Sequence, residues 1–156
     1  MGVEIERKFL VKGRPWEGVE GIPMAQAYLS RDPDRIVRIR LAGDRAWITI
    51  KGQSHGPARP EFEYAIPPDD ARQILENLAL PGRIEKIRYR LPYARHLWEI
   101  DVFTGALTGL VIAEVELNST EEPVHLPPWI GQEVTDDPAY SNSALSAKIS
   151  VGSGAD

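Results

Sequence analysis

Apolar and polar residues alternate with period two along much of this chain. In "VEIERKFLV", residues 3–11, Glu4, Glu6 and Lys8 take every second position, with Val3, Ile5, Phe9 and Val11 between them. That spacing predicts a β-strand with one apolar and one polar face. Similar stretches predict eight strands in all, at roughly 3–11, 24–31, 35–42, 46–52, 60–66, 83–91, 97–103 and 110–118. Turn signals fall between them, among them Asp32-Pro33-Asp34, Gly43-Asp44 and the long "GQSHGPARP". Two segments read as helices. The first, near 69–79, follows Pro67-Pro68 with Asp69 and Asp70, and places Ala71, Ile74, Leu75 and Leu78 on one face before Pro81-Gly82 stops it. The second begins near Asp137-Pro138 and runs to about 148. Residues 1–150 read as one domain and residues 151–156 as a disordered tail.

The polar faces are unusual because they are almost wholly charged. Arg38 and Arg40 share one strand face, as do Glu61 and Glu63, Lys86, Arg88 and Arg90, Glu99 and Asp101, and Glu114 and Glu116. Lys51 accompanies Thr49, and only the strand after Met24 offers uncharged Gln26, Tyr28 and Ser30. Like charges at i and i+2 project side by side and repel, and a solvated surface gains nothing from them. Eight strands are also enough to close a small antiparallel barrel. The predicted class is therefore α+β: a closed eight-stranded antiparallel barrel, a tunnel with a charged lumen and helices packed outside.

Composition narrows the function. The chain has 156 residues, 42% hydrophobic and 26% charged, as in an ordinary globular domain. A net charge of −5 argues against a nucleic-acid partner. The absence of cysteine excludes disulfides, thiolate metal sites and a cysteine nucleophile. "MGVEIERKFL" holds no apolar run of signal-peptide length and no stretch approaches a membrane span, so a cytoplasmic protein, monomer or homodimer, is expected. His55, His96 and His125 share no ligand spacing, and Trp16, Trp47, Trp98 and Trp129 read as packing residues. Arg7 belongs on the outer face by parity.

Paired carboxylates without His or Cys favour hard cations, Mg²⁺ or Mn²⁺. Rows of Arg and Lys favour a phosphate chain, because guanidinium forks match phosphate oxygens. Together they point to metal-assisted phosphoryl transfer on a small-molecule triphosphate.

The same residues carry a family resemblance. "EIERKFLV" resembles the ExExK signature of the CYTH family, the triphosphate tunnel metalloenzymes. "AYL", "RIR", "TIK", "RPEFE", "KIRYR", "WEID", "EVE" and "YSN" follow in the expected order, so the resemblance spans essentially the whole chain. It implies a tunnel that binds a triphosphate and two divalent metals. Glu4, Glu6, Glu114 and Glu116 would hold metal, with Glu61, Glu63, Glu99 and Asp101 ligating directly or supporting. Lys8, Arg38, Arg40, Lys51, Arg59, Lys86 and Arg88 would bind phosphates. Lys51 with Tyr28 resembles a dyad proposed to assist the attacking water. Among the family's activities, the early ExExK and the lack of an upstream His-Phe pair resemble short inorganic triphosphatases. Class IV adenylate cyclase, thiamine or nucleoside triphosphatase, and a non-catalytic polyphosphate or nucleotide binder are the alternatives.

Overall fold

The computed structural model describes residues 2–154, with side chains through Val151. Nine strands and two helices follow one another as β1 (Val3–Val11), β2 (Ile22–Ser30), β3 (Ile36–Ala42), β4 (Arg45–Lys51), β5 (Ala58–Ile66), α1 (Pro68–Asn77), β6 (Ile84–Tyr93), β7 (His96–Phe103), β8 (Val111–Glu116), β9 (Ile130–Glu133) and α2 (Asn142–Gly154). The eight long strands form an antiparallel ring in the order β5-β4-β3-β2-β6-β7-β8-β1, closed by β1 pairing with β5. The closing seam is short, because β1 meets β5 only at Val3, Glu4 and Ile5. Beyond it the same edge of β1 is taken by β9, which pairs at Phe9 and Val11.

β9 is a strand that the alternation does not predict. Pro127, Pro128 and Gly131 crowd its sequence, and four residues are too few to show a period. Gly131 matters there, since a Cβ would lie 3.0 Å from the Leu10 carbonyl oxygen. The second helix also differs from its predicted start. Asp137 accepts from the Ala139 amide and caps a short 3-10 turn at Pro138–Tyr140, so α2 itself begins only at Asn142. It then continues through Gly154, where the sequence predicts a disordered tail from residue 151; residues 155 and 156 lie outside those described.

Strand parity sorts the apolar residues into three clusters. Outside β2, β3 and β4, α1 buries Ala71 and Leu75 against Ala27, Ile39 and Ala46. Leu78 ends that helix and is exposed rather than packed. Outside β1, β7 and β8, Phe9, Trp98, Ile100, Ala113 and Val115 form the second cluster, covered by Trp16 and Trp129. The third cluster lies at one end of the barrel, where Tyr28, Ile36, Ile84, Phe103 and Ile112 point inward and α2 sets Leu145 on them.

That seat for α2 is closely fitted. Ser146 Oγ donates to the Gly82 carbonyl at 2.7 Å and accepts from Arg31 Nη1 at 3.1 Å. Gly82 has φ +111°, and any Cβ there would lie 2.2 Å from the Ser146 carbonyl oxygen. α2 thus covers part of one barrel end and leaves the rest of the lumen open.

Candidate active site

Inward parity brings the predicted residues of all eight long strands into one lumen. A cavity of about 240 Å³ is lined by Arg38, Arg40, Lys51, Glu61, Glu63 and Glu114, among others. A second, of about 460 Å³, opens at the α2 end beside Lys8, Arg59 and the 135–143 segment. Glu4 and Glu6 line both, which places them at the junction of the two.

One side of the lumen is internally compensated. Asp101, only 1% exposed, uses both oxygens on cations. Its Oδ1 accepts from Arg88 Nε at 2.8 Å, and its Oδ2 accepts from Arg88 Nη2 at 2.9 Å and Lys86 Nζ at 2.7 Å. Burial opposes its charge, but Lys86 and Arg88 outweigh it and hold the carboxyl well below the usual range. Burial, with Arg88 and Arg40 nearby, pushes Lys86 below its ordinary value despite Asp101. Asp101 therefore anchors two bases, with a cation on each of its oxygens. Glu99 is likewise held, 3.1 Å from Arg90 and 3.4 Å from Arg88. Glu63 accepts from Thr49 Oγ1 at 2.7 Å and lies 3.5 Å from Arg38.

The β1 side is different. Glu6 pairs across strands with Glu116, and Lys8 with Glu114. Burial, then Glu114 and Glu4, pushes the Glu6 carboxyl up to about 8, with Lys8 as its nearest cation at 3.8 Å. Glu4 and Glu116 are raised too, first by burial. Glu114 is the exception: Lys8, Arg88 and Lys86 overcome its burial and lower it to about 2. Burial opposes the charge of Lys8, yet Glu114, Glu6 and Glu4 outweigh it and raise its pKa.

Two cations are incompletely paired. Arg40 donates through Nε to Gln26 Oε1 at 2.8 Å, and no carboxylate lies within 4.0 Å of it among the described residues. Its burial, and then Arg38 and Arg88, push its pKa down. Arg38 Nε is buried with no hydrogen-bond partner. An unpaired buried donor such as Arg38 Nε is costly unless a ligand completes it.

Lys51 and Tyr28 line one small inner cavity, but no hydrogen bond joins them. Lys51 Nζ instead donates to Glu4 at 3.0 and 3.1 Å and lies 3.4 Å from Glu61, because a carboxylate partner is stronger than a phenol. Arg59 is tied to the Gly52 carbonyl at 2.9 Å and borders the larger cavity. Arg90 stands at the mouth, and Arg7 pairs with Glu133 outside the barrel. The charge pattern misses Gln26 and Thr49, which are fully buried polar residues of the lumen face. Parity alone could have found them. Trp47 faces the lumen and Trp98 the outer core.

The acids supply hard oxygen donors, and a carboxyl kept from ionising by burial and by its acidic neighbours is one that a cation would relieve. Among the described residues no three acids are arranged around one point. Glu4 is drawn to Lys51 instead. The donor chemistry fits a divalent cation.

The model of the CYTH domain matches residues 2–146. The chain belongs to the CYTH family. An inorganic triphosphatase of Acetivibrio thermocellus is 44% identical to it over 146 residues, 93% of this chain and 94% of that protein. An inorganic triphosphatase of Nitrosomonas europaea is 39% identical over 153 residues, covering 94% of this chain and 98% of that protein. A solved inorganic triphosphatase structure superposes with a TM-score of 0.66 at 33% identity, over 91% of this chain and 96% of that one. As a CYTH protein the chain shares a metalloenzyme family, which implies a divalent-metal requirement. No helix among the described residues is long and apolar enough to cross a membrane.

Proposed function

We propose that this CYTH protein hydrolyses inorganic triphosphate to phosphate and pyrophosphate, with Mg²⁺ or Mn²⁺ as cofactor. The observation that carries the reading is the uncompensated part of the lumen. Arg40, half-buried beside Arg38 and Arg88 with no carboxylate partner, lines the same cavity as Glu6, which burial and then Glu114 and Glu4 raise to about 8. Such a site is completed by a polyanion and a hard cation together. The two triphosphatase relatives, each matched over nearly its whole length, support the same activity.

In this reading Glu4, Glu6, Glu114 and Glu116 would hold the metal, with Glu61 beside them. The bound ion supplies Lewis acidity to phosphoryl oxygens and to water. Arg38, Arg40, Arg88 and Lys8 bind and orient the phosphate chain, and neutralise charge as the bridging bond breaks. Asp101, Glu99 and Glu63 hold Arg88, Lys86 and Arg38 in place. Arg59 borders the phosphate path, while Lys86 stays behind it, its side chain fully buried on Asp101. Lys51, fixed by Glu4 next to the cavity that Tyr28 also lines, is positioned with Tyr28 to hold the attacking water. Water attacks a terminal phosphorus, its proton passes to a neighbouring base, and pyrophosphate leaves.

Phosphate release from tripolyphosphate, with and without Mg²⁺ or Mn²⁺, tests the proposal. Release faster than from ATP and abolished by EDTA is expected. Faster formation of cyclic AMP from ATP, or tight binding of tripolyphosphate without turnover, would overturn it.

A further inference from the structure

We infer that Asn142 is a further substrate-binding residue, whose side-chain NH₂ donates to a phosphoryl oxygen, and that Gln26 sets its orientation. The inference rests on the triphosphatase reading and adds a neutral donor to that site.

The argument is one of hydrogen-bond polarity. Gln26 is 0% exposed and touches two groups: Arg40 Nε at 2.8 Å and Asn142 at 3.2 Å. Arginine carries donors only, so the Gln26 oxygen must face Arg40. The Gln26 NH₂ is then committed to Asn142, which must answer with its oxygen. The Asn142 NH₂ is consequently turned away from Gln26, and it finds no acceptor in the protein among the described residues. Asn142 lines both the 240 Å³ lumen cavity and the small inner cavity shared by Lys8, Tyr28, Arg38 and Lys51. Its free donor therefore lies among the cations proposed to bind phosphate, where an NH₂ can serve an anion and cannot serve a metal. Starting the helix does not require it, since Ser141 Oγ already accepts from the Ala144 amide at 3.2 Å. One arginine thus dictates, through two amides in series, which atom α2 presents to the lumen.

The test compares Asn142→Ala and Asn142→Asp with wild type by steady-state tripolyphosphate hydrolysis, by calorimetric titration of tripolyphosphate in EDTA, and by thermal melting. Loss of a donor to a charged oxygen should raise KM and Kd about tenfold in Asn142→Ala with kcat little changed. Asn142→Asp still accepts from Gln26 but presents a carboxylate to the phosphate, so its binding should be weaker again. Its Tm should hold or rise, because an acid in the first helical turn is favourable. Should Asn142→Asp fail to fold, the Asn142→Ala constants decide alone. Gln26→Glu keeps an acceptor for Arg40 and loses the donor for Asn142. It should weaken binding, and adding Asn142→Ala to it should change little further. KM and Kd within twofold of wild type in both Asn142 variants would overturn the inference while leaving the triphosphatase reading intact. A wild-type protein that neither binds nor cleaves tripolyphosphate would remove both.

Discussion

Two parts of the same lumen treat charge in opposite ways. Around β6 and β7, Lys86, Arg88 and Asp101 are as buried as core residues, and each finds an opposite charge within 2.7 to 2.9 Å. Around β1, β3 and β8, Glu6 lies beside Glu4 and Glu114, and Arg40 beside Arg38 and Arg88, with no such closure. The first arrangement is complete without a ligand. The second costs free energy until one arrives, which marks it as the place where substrate and cation bind. Charge in a buried lumen is informative by its partners, not by its presence.

The largest expected effect breaks the compensated part. Asp101→Ala leaves Lys86 and Arg88 buried without a counter-charge, and should cost about 3–5 kcal/mol, read by chemical denaturation. Unchanged stability would mean that the two bases relax to another partner. Next, Arg40→Met should do the reverse. Activity should fall about a hundredfold. Stability should hold or rise, since an unpaired cation beside two guanidiniums is removed. Comparable destabilisation by both variants would erase the distinction between the two parts.

A smaller effect concerns Glu6 in metal-free buffer. Burial, then Glu114 and Glu4, raise the folded carboxyl from its ordinary 4.5 to about 8. Between those values the folded state binds more protons than the unfolded chain, so this group's contribution to stability is lost as pH rises. Glu6→Gln should flatten that decline and raise Tm at pH 8 in EDTA by about 2–4 °C, while abolishing metal-dependent turnover. A Tm that falls in this variant would make Glu6 a structural partner of Lys8. The smallest effect lies outside the barrel: Arg7→Ala breaks the 2.8 Å pair with Glu133, and should cost under about 1 kcal/mol with activity unchanged.

Alternation of side chains determined most of the wall of this protein. Period two is a local property of extended backbone, so Glu4, Arg38, Lys86 and Glu114 were assignable to one face of their strands without any knowledge of neighbours. Like charges two residues apart also signalled that this face does not simply meet water. Partner choice was not legible, because it depends on register between strands distant in sequence. Whether Lys51 meets Tyr28 or Glu4, and which bases Asp101 holds, is decided by which side chains the closed ring brings within about 3 Å. β9 and the late start of α2 were hidden for a related reason. Four residues on the free edge of β1, and an Asp137-capped turn before Asn142, have little local pattern of their own. They exist because the barrel's short β1–β5 seam leaves an edge to pair and an end to cover.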